Sequence, residues 1–303
     1  MLENLFSVVL FFSLGYIGRK SKVFYGYSDA SDVIIKFIIY FSFPALVIYN
    51  VYRTKISPDI IYMVLSGWGV IFFSIFLSFF VGKLLNMNKA TLATFVMMST
   101  FGNTSFLGFP FQLAFNGEEG LKYAVIFDQL ASFLPVSLLS SFILAYGKET
   151  KKTKIDWKKI IFFPPFITLI TAFTLKPFIS IPEFVMESLH TLGMTVIPLA
   201  LFAVGYNLRF SSVKNRIKDV SLVLFIKMLL IPVLFVFTLK FLGIPINTIW
   251  KSAVVEISMP PMVLASIFVM EAKLDKDLAV SSVGVGIVMS FISVPFIIWI
   301  LNL

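Results

Sequence analysis

Ten apolar stretches follow one another along the chain, and short polar segments separate them. Each stretch is close to the roughly 20 residues that an α-helix needs to cross the hydrocarbon core of a bilayer. None of them alternates apolar and polar residues as the strands of a membrane barrel do, so helices are the structure that satisfies their backbone groups in lipid. The pattern predicts an all-α polytopic membrane protein with ten transmembrane helices, at residues 3–18, 33–52, 60–84, 91–115, 121–146, 160–179, 184–208, 219–242, 248–272 and 278–302.

The composition agrees with a chain that lies mostly in the membrane. Of the 303 residues, 58% are hydrophobic and 14% are charged, whereas about a quarter are charged in a typical soluble domain. Ten helices with short loops use most of this length and leave no sizeable soluble domain. The absence of cysteine excludes disulfides and thiolate metal sites.

The basic residues are unevenly distributed over the polar segments. If the N-terminus lies outside, 17 of the 25 Lys and Arg residues fall in cytoplasmic segments and six fall outside. Positive charge favours the cytoplasmic side, so we expect a multi-pass protein of the cell membrane with both termini outside. Topology therefore accounts for the net charge of +9, and no nucleic acid partner is expected. The chain starts with the acidic Glu3 and not with a basic region, and Arg19 follows the first apolar run, which predicts a retained helix and not a cleaved signal peptide.

The longest polar segment, residues 147–159, divides the ten helices into five and five. It is basic and is expected in the cytoplasm. A repeat with an odd number of helices enters the membrane from the opposite side the second time, so residues 1–146 and 160–303 are predicted to form two inverted five-helix repeats. Weak sequence parallels support this prediction: Pro44 and Pro198 lie in helices 2 and 7, and prolines also lie inside helices 4 and 9.

The fourth apolar run contains the most unusual segment, residues 99–110, which is rich in glycine and small polar residues and ends at Pro110. A proline removes a backbone donor, and freed backbone groups at membrane depth must face protein or a wet cavity. The segment predicts a broken helix whose half-helix ends point to the midplane, where the positive N-terminal end attracts anions. The alternative is an ordinary proline kink with a small-residue packing face.

The ninth run carries a second break and a carboxylate. Glu256 lies one helical turn before Pro260 and Pro261. A carboxylate inside a membrane helix is costly unless it is protonated, paired or hydrated. Glu256 is therefore predicted to bind a proton or a sodium ion, and the alternative is a structural carboxylate.

Further ionisable residues lie inside the apolar runs. Asp128 in helix 5 and Lys227 in helix 8 are the other candidates for ion coupling, and Lys227 could pair with Asp128 or Glu256. The alternatives are a solvated helix end for Asp128 and a stem that snorkels to the interface for Lys227. His190, the only histidine, is expected to be structural.

The sequence contains no motif of an enzyme. A nucleotide-binding G-x-x-x-x-G-K-[ST] loop, an H-E-x-x-H pair and a spaced set of metal ligands are all missing. We therefore expect neither catalysis nor a cofactor, apart from Na⁺ or H⁺ as a coupling ion.

The motifs of the chain resemble those of the auxin efflux carrier family over nearly its whole length. That family includes bacterial carboxylate carriers and plant auxin exporters. The most specific match is the stretch from Asn103 to Pro110. The other matching motifs are Gly15-Tyr16-Ile17-Gly18-Arg19-Lys20, Phe43-Pro44-Ala45-Leu46, Phe115-Asn116-Gly117-Glu118-Glu119-Gly120, Pro164-Pro165, Ile197-Pro198-Leu199-Ala200-Leu201-Phe202 with Gly205, and Met259-Pro260-Pro261.

The resemblance implies two inverted repeats of five helices, in a fold related to sodium/proton antiporters and bile acid symporters. It also implies that helices 4 and 9 are broken at their prolines, cross there and hold the substrate. The stretch that begins at Glu256 is similar to the ninth helix of bile acid symporters, whose glutamate binds sodium. Prolines stand here where those symporters have Gln-Asn, so a proton, or no coupling ion, is the alternative to sodium.

These observations lead to one expected function. We expect a secondary transporter that moves small organic anions, either mono- or dicarboxylates or an auxin-like acid, by alternating access. The residues expected to form its substrate site are Asn103, Thr104, Ser105, Pro110, Pro260 and Pro261. The alternatives are a sodium-coupled symporter of bile-acid-like anions, a channel, and a membrane sensor or scaffold without transport. Lipid surrounds such a protein, and a homodimer is compatible with the sequence.

Overall fold

The chain is helical in a computed structural model, which describes residues 2–21, 23, 30–55, 57–148, 155–208 and 213–303. Part of the basic segment predicted at 147–159, residues 149–154, lies outside the described residues. The α-helices of the described chain are α1 Leu2–Lys20, α2 Ala30–Phe37, α3 Phe43–Arg53, α4 Pro58–Leu84, α5 Lys89–Thr100, α6 Phe109–Phe127, α7 Leu134–Gly147, α8 Trp157–Ile161, α9 Pro164–Leu175, α10 Glu183–Met194, α11 Val196–Asn207, α12 Val213–Phe225, α13 Ile231–Phe241, α14 Thr248–Ile257, α15 Val263–Glu271 and α16 Lys276–Asn302.

Large apolar side chains cover the exposed faces of these helices, and Phe241 for example is 90% exposed. Lipid accepts whole helix faces of this kind, whereas water does not. Within the described ranges, six helical stretches are long and apolar enough to cross a membrane: Ser31–Arg53, Pro58–Leu84, Thr104–Gly147, Glu183–Asn207, Arg216–Phe241 and Lys276–Asn302. The prediction of an α-helical multi-pass membrane protein is therefore confirmed.

Four of the longer helices contain a widened, π-helical turn. The π segments among the described residues are π1 Ile38–Ser42, π2 Thr104–Gly108, π3 Asp128–Phe133 and π4 Ile226–Leu230. Each is followed by an α-helix with proline as its second residue. Proline has no N–H, and its ring clashes with the carbonyl four residues earlier, which here belongs to the π segment. A π turn at this carbonyl lets the helix continue across the proline without a sharp break.

The chain divides into two compact units, and each draws on both halves of the sequence. Unit 1 consists of Met1–Ser57, Ser105–Gln129 and Asp156–Leu208, and unit 2 consists of Pro58–Thr104, Leu130–Ile155 and Arg209–Leu303.

The crossing of α1 and α11 holds unit 1 together. Both helices carry the pattern Phe-x-x-Gly-Tyr, with Gly15 in α1 and Gly205 in α11. A Cβ atom added at Gly15 would lie 2.1 Å from the carbonyl oxygen of Phe202, and one added at Gly205 would lie 2.0 Å from that of Phe12. The two backbones are thus in direct contact, which only glycine permits at these positions.

In unit 2, Asp275 fixes the start of α16. One of its carboxylate oxygens accepts a hydrogen bond from the backbone N–H of Leu278 at 3.1 Å, so Asp275 is the N-cap of the helix. The other accepts from Thr91 Oγ1 at 2.9 Å and lies 2.6 Å from a guanidinium nitrogen of Arg216. One carboxylate therefore joins α5 and α12 to the positive end of α16, where negative charge is favourable.

Candidate functional site

Two broken segments of helical backbone pair with each other inside unit 2. Residues 101–103 interrupt the helical path between α5 and π2, and residues 258–262 interrupt it between α14 and α15. We call these two segments the paired breaks. The backbone N–H of Asn103 donates to the carbonyl oxygen of Pro260 at 2.8 Å, and that of Met262 donates to Phe101 at 2.9 Å. Gly102 and Pro261 form an isolated antiparallel bridge between these bonds. Each break therefore supplies hydrogen bonds that the other has lost within its own helix.

The position of the first break corrects the prediction that helix 4 is broken at its proline. The break comes before π2, whereas Pro110 lies within the helical path as the second residue of α6. The wider turn of π2 accommodates the missing donor of Pro110, so no break is needed there. The second break does include its prolines, Pro260 and Pro261.

Glycines allow the close packing around the paired breaks. A Cβ atom on Gly102 would lie 3.1 Å from Lys227 Nζ and 3.4 Å from the carbonyl oxygen of Met259. On α16, a Cβ atom added to Gly286 would lie 2.8 Å from Pro261 Cδ. A larger residue at either glycine would press on a side chain at the breaks.

Asn103 brings an amide group to the first break. The residue is 3% exposed, and its side-chain Nδ2 has no hydrogen-bond partner among the residues that the structure describes. A buried hydrogen-bond donor without an acceptor destabilises the protein by about 1–3 kcal/mol. The site is therefore suited to a ligand with an acceptor oxygen. The neighbouring residue, Thr104, is buried and donates from Oγ1 to Ser132 Oγ at 2.9 Å.

A lysine and a glutamate lie beside the breaks. Lys227, in π4, is 4% exposed, and its Nζ donates to the carbonyl oxygen of Ile257 at 2.7 Å. The lysine stem therefore does not snorkel to the interface. Glu256 is buried at the end of α14, near enough to Lys227 for their charges to interact. Of the two carboxylates considered as partners for Lys227, Glu256 is the one that belongs to the same unit.

Comparison with known proteins identifies the family. A family model described as "membrane transport protein" matches residues 1–298. The chain belongs to the membrane transport protein family. The resemblance to the auxin efflux carriers, first seen in the motifs, is thereby confirmed.

Two archaeal relatives of this transporter family member match it from end to end. An uncharacterized transporter of Methanothermobacter thermautotrophicus is 24% identical over 299 residues, which cover 97% of this chain and 96% of the relative. The uncharacterized transporter MJ1031 of Methanocaldococcus jannaschii is 26% identical over 305 residues, which cover 97% of each chain.

The predicted site residues of this transporter family member are divided between the two units. Unit 2 contains Asn103, Thr104, Pro260, Pro261, Glu256 and Lys227. Unit 1 contains Ser105, Pro110 and Asp128. Asp128, in π3, is buried and accepts a hydrogen bond from Gln129 Nε2 at 2.6 Å. It is therefore not at a solvated helix end, which was the alternative interpretation of this residue.

Two residues of the site, Ser132 and Gly286, were missed from the sequence. Ser132 was not singled out, although a serine four residues after Asp128 in an apolar run is a detectable signal. Gly286 gave none, because glycine is frequent in membrane helices. The one histidine, His190, has its Nε2 3.4 Å from Oε1 of Glu118, and its ring centroid lies 4.5 Å from that of Tyr49. These contacts agree with a structural role. The described ranges contain no group of three or more His, Cys, Asp or Glu residues that could hold a metal ion.

Proposed function

We propose that the chain is a secondary transporter that moves small organic anions, mono- or dicarboxylates, across the cell membrane by alternating access. The observation that carries this proposal is the buried Nδ2 of Asn103, which lies at the paired breaks and has no partner among the described residues. An amide donor that is held in place at membrane depth suits the oxygen of a carboxylate.

The helix ends at the breaks support an anionic substrate. The α15 helix begins directly after Pro261 and Met262, and its first backbone N–H groups have no carbonyl partners within the helix. The N-terminal end of a helix carries about half a positive charge, which favours a bound anion. The amide of Asn103 and the helix dipole therefore act in the same direction.

We also propose ten transmembrane spans in two inverted repeats. The stretch Thr104–Gly147 has 44 residues, which at about 1.5 Å per residue is roughly twice the 30 Å of the hydrocarbon core. Within it, Gly117 has a φ of 64°, so the stretch supplies the end of span 4 and the whole of span 5. By contrast, α14 has 10 residues and α15 has 9, so each alone is too short to cross the hydrocarbon core. The two helices together form span 9. The α1 helix and Pro164–Leu175 complete the set as spans 1 and 6.

The uneven distribution of the basic residues gives the orientation of this proposal: the termini lie outside and residues 147–159 lie in the cytoplasm. Because the chain has no cysteine, single cysteines at Lys148 and Asn302 can be labelled selectively. They should react from opposite sides of the membrane. Labelling of both from one side would contradict the ten-span arrangement.

A variant of Asn103 tests the substrate site. Asn103→Leu removes the amide and keeps the volume, and a hydrogen bond to a charged group contributes about 1.5–3 kcal/mol. Affinity for the transported acid should therefore fall roughly tenfold or more. The assay is uptake and counterflow in proteoliposomes with acetate, succinate and indole-3-acetate, together with the shift in unfolding temperature that each acid causes.

Asn50→Leu is the matched control, because Asn50 is also buried but its Nδ2 already donates to the carbonyl oxygen of Leu46 at 2.8 Å. It should leave affinity unchanged. Wild-type uptake and binding by Asn103→Leu would remove Asn103 from the site. Flux that neither saturates nor shows counterflow would indicate a channel, and complete absence of flux would favour a sensor or scaffold.

A further inference from the structure

The ammonium group of Lys227 is buried beside the paired breaks. Burying an ammonium in a membrane protein is costly unless oxygen ligands or an opposite charge replace its water. Lys227 obtains both within unit 2. Its Nζ donates to the carbonyl oxygen of Ile257 at 2.7 Å, and its charge interacts with that of Glu256.

The carbonyl that Lys227 binds belongs to the broken end of a helix. The α14 helix ends at Ile257, and the last carbonyls of a helix have no partner within it. They carry about half a negative charge, which favours a cation. In transporters with broken helices, such half-helix C-terminal carbonyls are the groups that coordinate sodium ions.

The end of Lys227 also packs directly against the other break. A Cβ atom on Gly102 would lie 3.1 Å from Nζ and 3.2 Å from Cε, so the side chain lies flat against the backbone of that residue. The ammonium thus lies between the end of α14 and the first break, and a buried carboxylate is near enough for the two charges to interact. Its stem enters from π4, which keeps the charge tethered to the protein.

We propose that Lys227 is a cation built into the chain, which takes the place of a coupling sodium ion at the paired breaks. Lys227 is then a positioning residue, since it holds the end of α14 and balances Glu256 without touching the substrate. Substrate binding should require no sodium. This inference rests on the proposed transport function, because it concerns the coupling ion of the same site.

The wild-type protein provides the first test. Its unfolding temperature, and the shifts caused by acetate, succinate and indole-3-acetate, should be the same in sodium chloride and in choline chloride of equal ionic strength. An acid that binds only in sodium chloride would overturn the proposal.

Lys227→Ala provides the second test, because it removes three methylenes and the ammonium and leaves a space of that shape. The unfolding temperature should fall, and affinity for the transported acid should fall on the order of tenfold or more. Propylammonium replaces the missing atoms and should restore both. Tetramethylammonium has no N–H donor and should restore neither. Sodium should now raise the unfolding temperature of the variant, because the oxygen ligands have become accessible to it.

Lys176→Ala is the matched control. Lys176 also donates to carbonyl oxygens at the end of a helix, those of Val51 at 2.9 Å and of Thr54, but it belongs to unit 1, whereas the paired breaks belong to unit 2. This variant should show no response of substrate affinity to propylammonium. A general stabilising effect of the amine would appear in both variants and would contradict the proposal.

If Lys227→Ala does not fold, Lys227→Met carries the test, since it keeps the apolar stem and leaves no space. It should lose affinity and gain nothing from propylammonium. Wild-type affinity in Lys227→Met would overturn the proposal. Failure of the proposed function itself is distinguishable: the wild-type protein would then bind and transport none of the three acids, while the unfolding temperatures would still report on Lys227.

Discussion

The crossing of α1 and α11 in unit 1 and the paired breaks in unit 2 both depend on glycine, but for different reasons. At the crossing, both helices keep their own backbone hydrogen bonds, and Gly15 and Gly205 only remove bulk. At the breaks, the backbone has left the helix, and Gly102 lies where one broken segment pairs with another. The crossing therefore leaves no backbone group in need of a partner, whereas the breaks create helix ends that attract ions. The first arrangement suits a rigid scaffold, and the second suits a binding site.

The largest effect is expected at the crossing. Gly205→Ala would place a methyl group 2.0 Å from the carbonyl oxygen of Phe12, and a backbone atom cannot move aside as a flexible side chain can. The free energy of unfolding should fall by about 3 kcal/mol or more, as measured by denaturation in detergent. The control is Gly69→Ala, because nothing lies within 4 Å of the added atom. Equal stability of the two variants would show that the crossing is loose.

An intermediate effect is expected at Glu256. Glu256→Gln keeps the shape and removes the charge beside Lys227, so stability should fall by about 2 kcal/mol. Glutamine cannot take up or release a proton. If Glu256 couples transport to protons, the variant should still bind and exchange substrate, but the pH dependence of uptake should flatten and net accumulation should stop. If the variant instead loses a sodium-dependent binding of substrate, Glu256 is a ligand of a coupling sodium ion.

Accumulation by Glu256→Gln with wild-type pH and sodium profiles would make Glu256 a structural carboxylate. Asp128 would then be the remaining acidic candidate. The paired breaks would then contribute substrate binding without ion coupling.

The smallest effect is expected at Gly102. Gly102→Ala introduces the same methyl group as Gly205→Ala, but its neighbour is the end of a lysine side chain at 3.1 Å. The lysine can shift by a few tenths of an ångström, so stability should fall by only about 1 kcal/mol. Transport should be more affected than stability, because the shift lengthens the bond between Lys227 and Ile257. A loss of stability as large as that of Gly205→Ala would show the breaks to be as rigid as the crossing.

The sequence was most informative where one residue type has one physical consequence. Pro260 and Pro261 in an apolar run predicted the second break, and the polar residues around Asn103 drew attention to the first. The gap between the fourth and fifth apolar runs coincides with the positive φ of Gly117. The family was found from the same motifs.

The sequence was least informative where the outcome depends on packing. Pro110 alone predicts a break, but its effect was absorbed by a wider turn that no residue type announces. The stem of Lys227 could have pointed outward, and only the position of the α14 end relative to π4 decides that it does not. The contact of Thr104 with Ser132 joins residues 28 positions apart, which the helical pattern does not reveal.

The four π segments also affect how the chain is aligned with its relatives. A π turn contains one more residue than the α turn that it replaces, and one residue corresponds to a rotation of about 100° in an α-helix. Side chains after Pro44, Pro110, Pro135 and Pro232 therefore face about 100° away from where an uninterrupted helix would place them. A relative without one of these prolines can lose the additional residue. Single-residue insertions and deletions in this family should accordingly collect just before the prolines, inside membrane helices where gaps are otherwise unexpected.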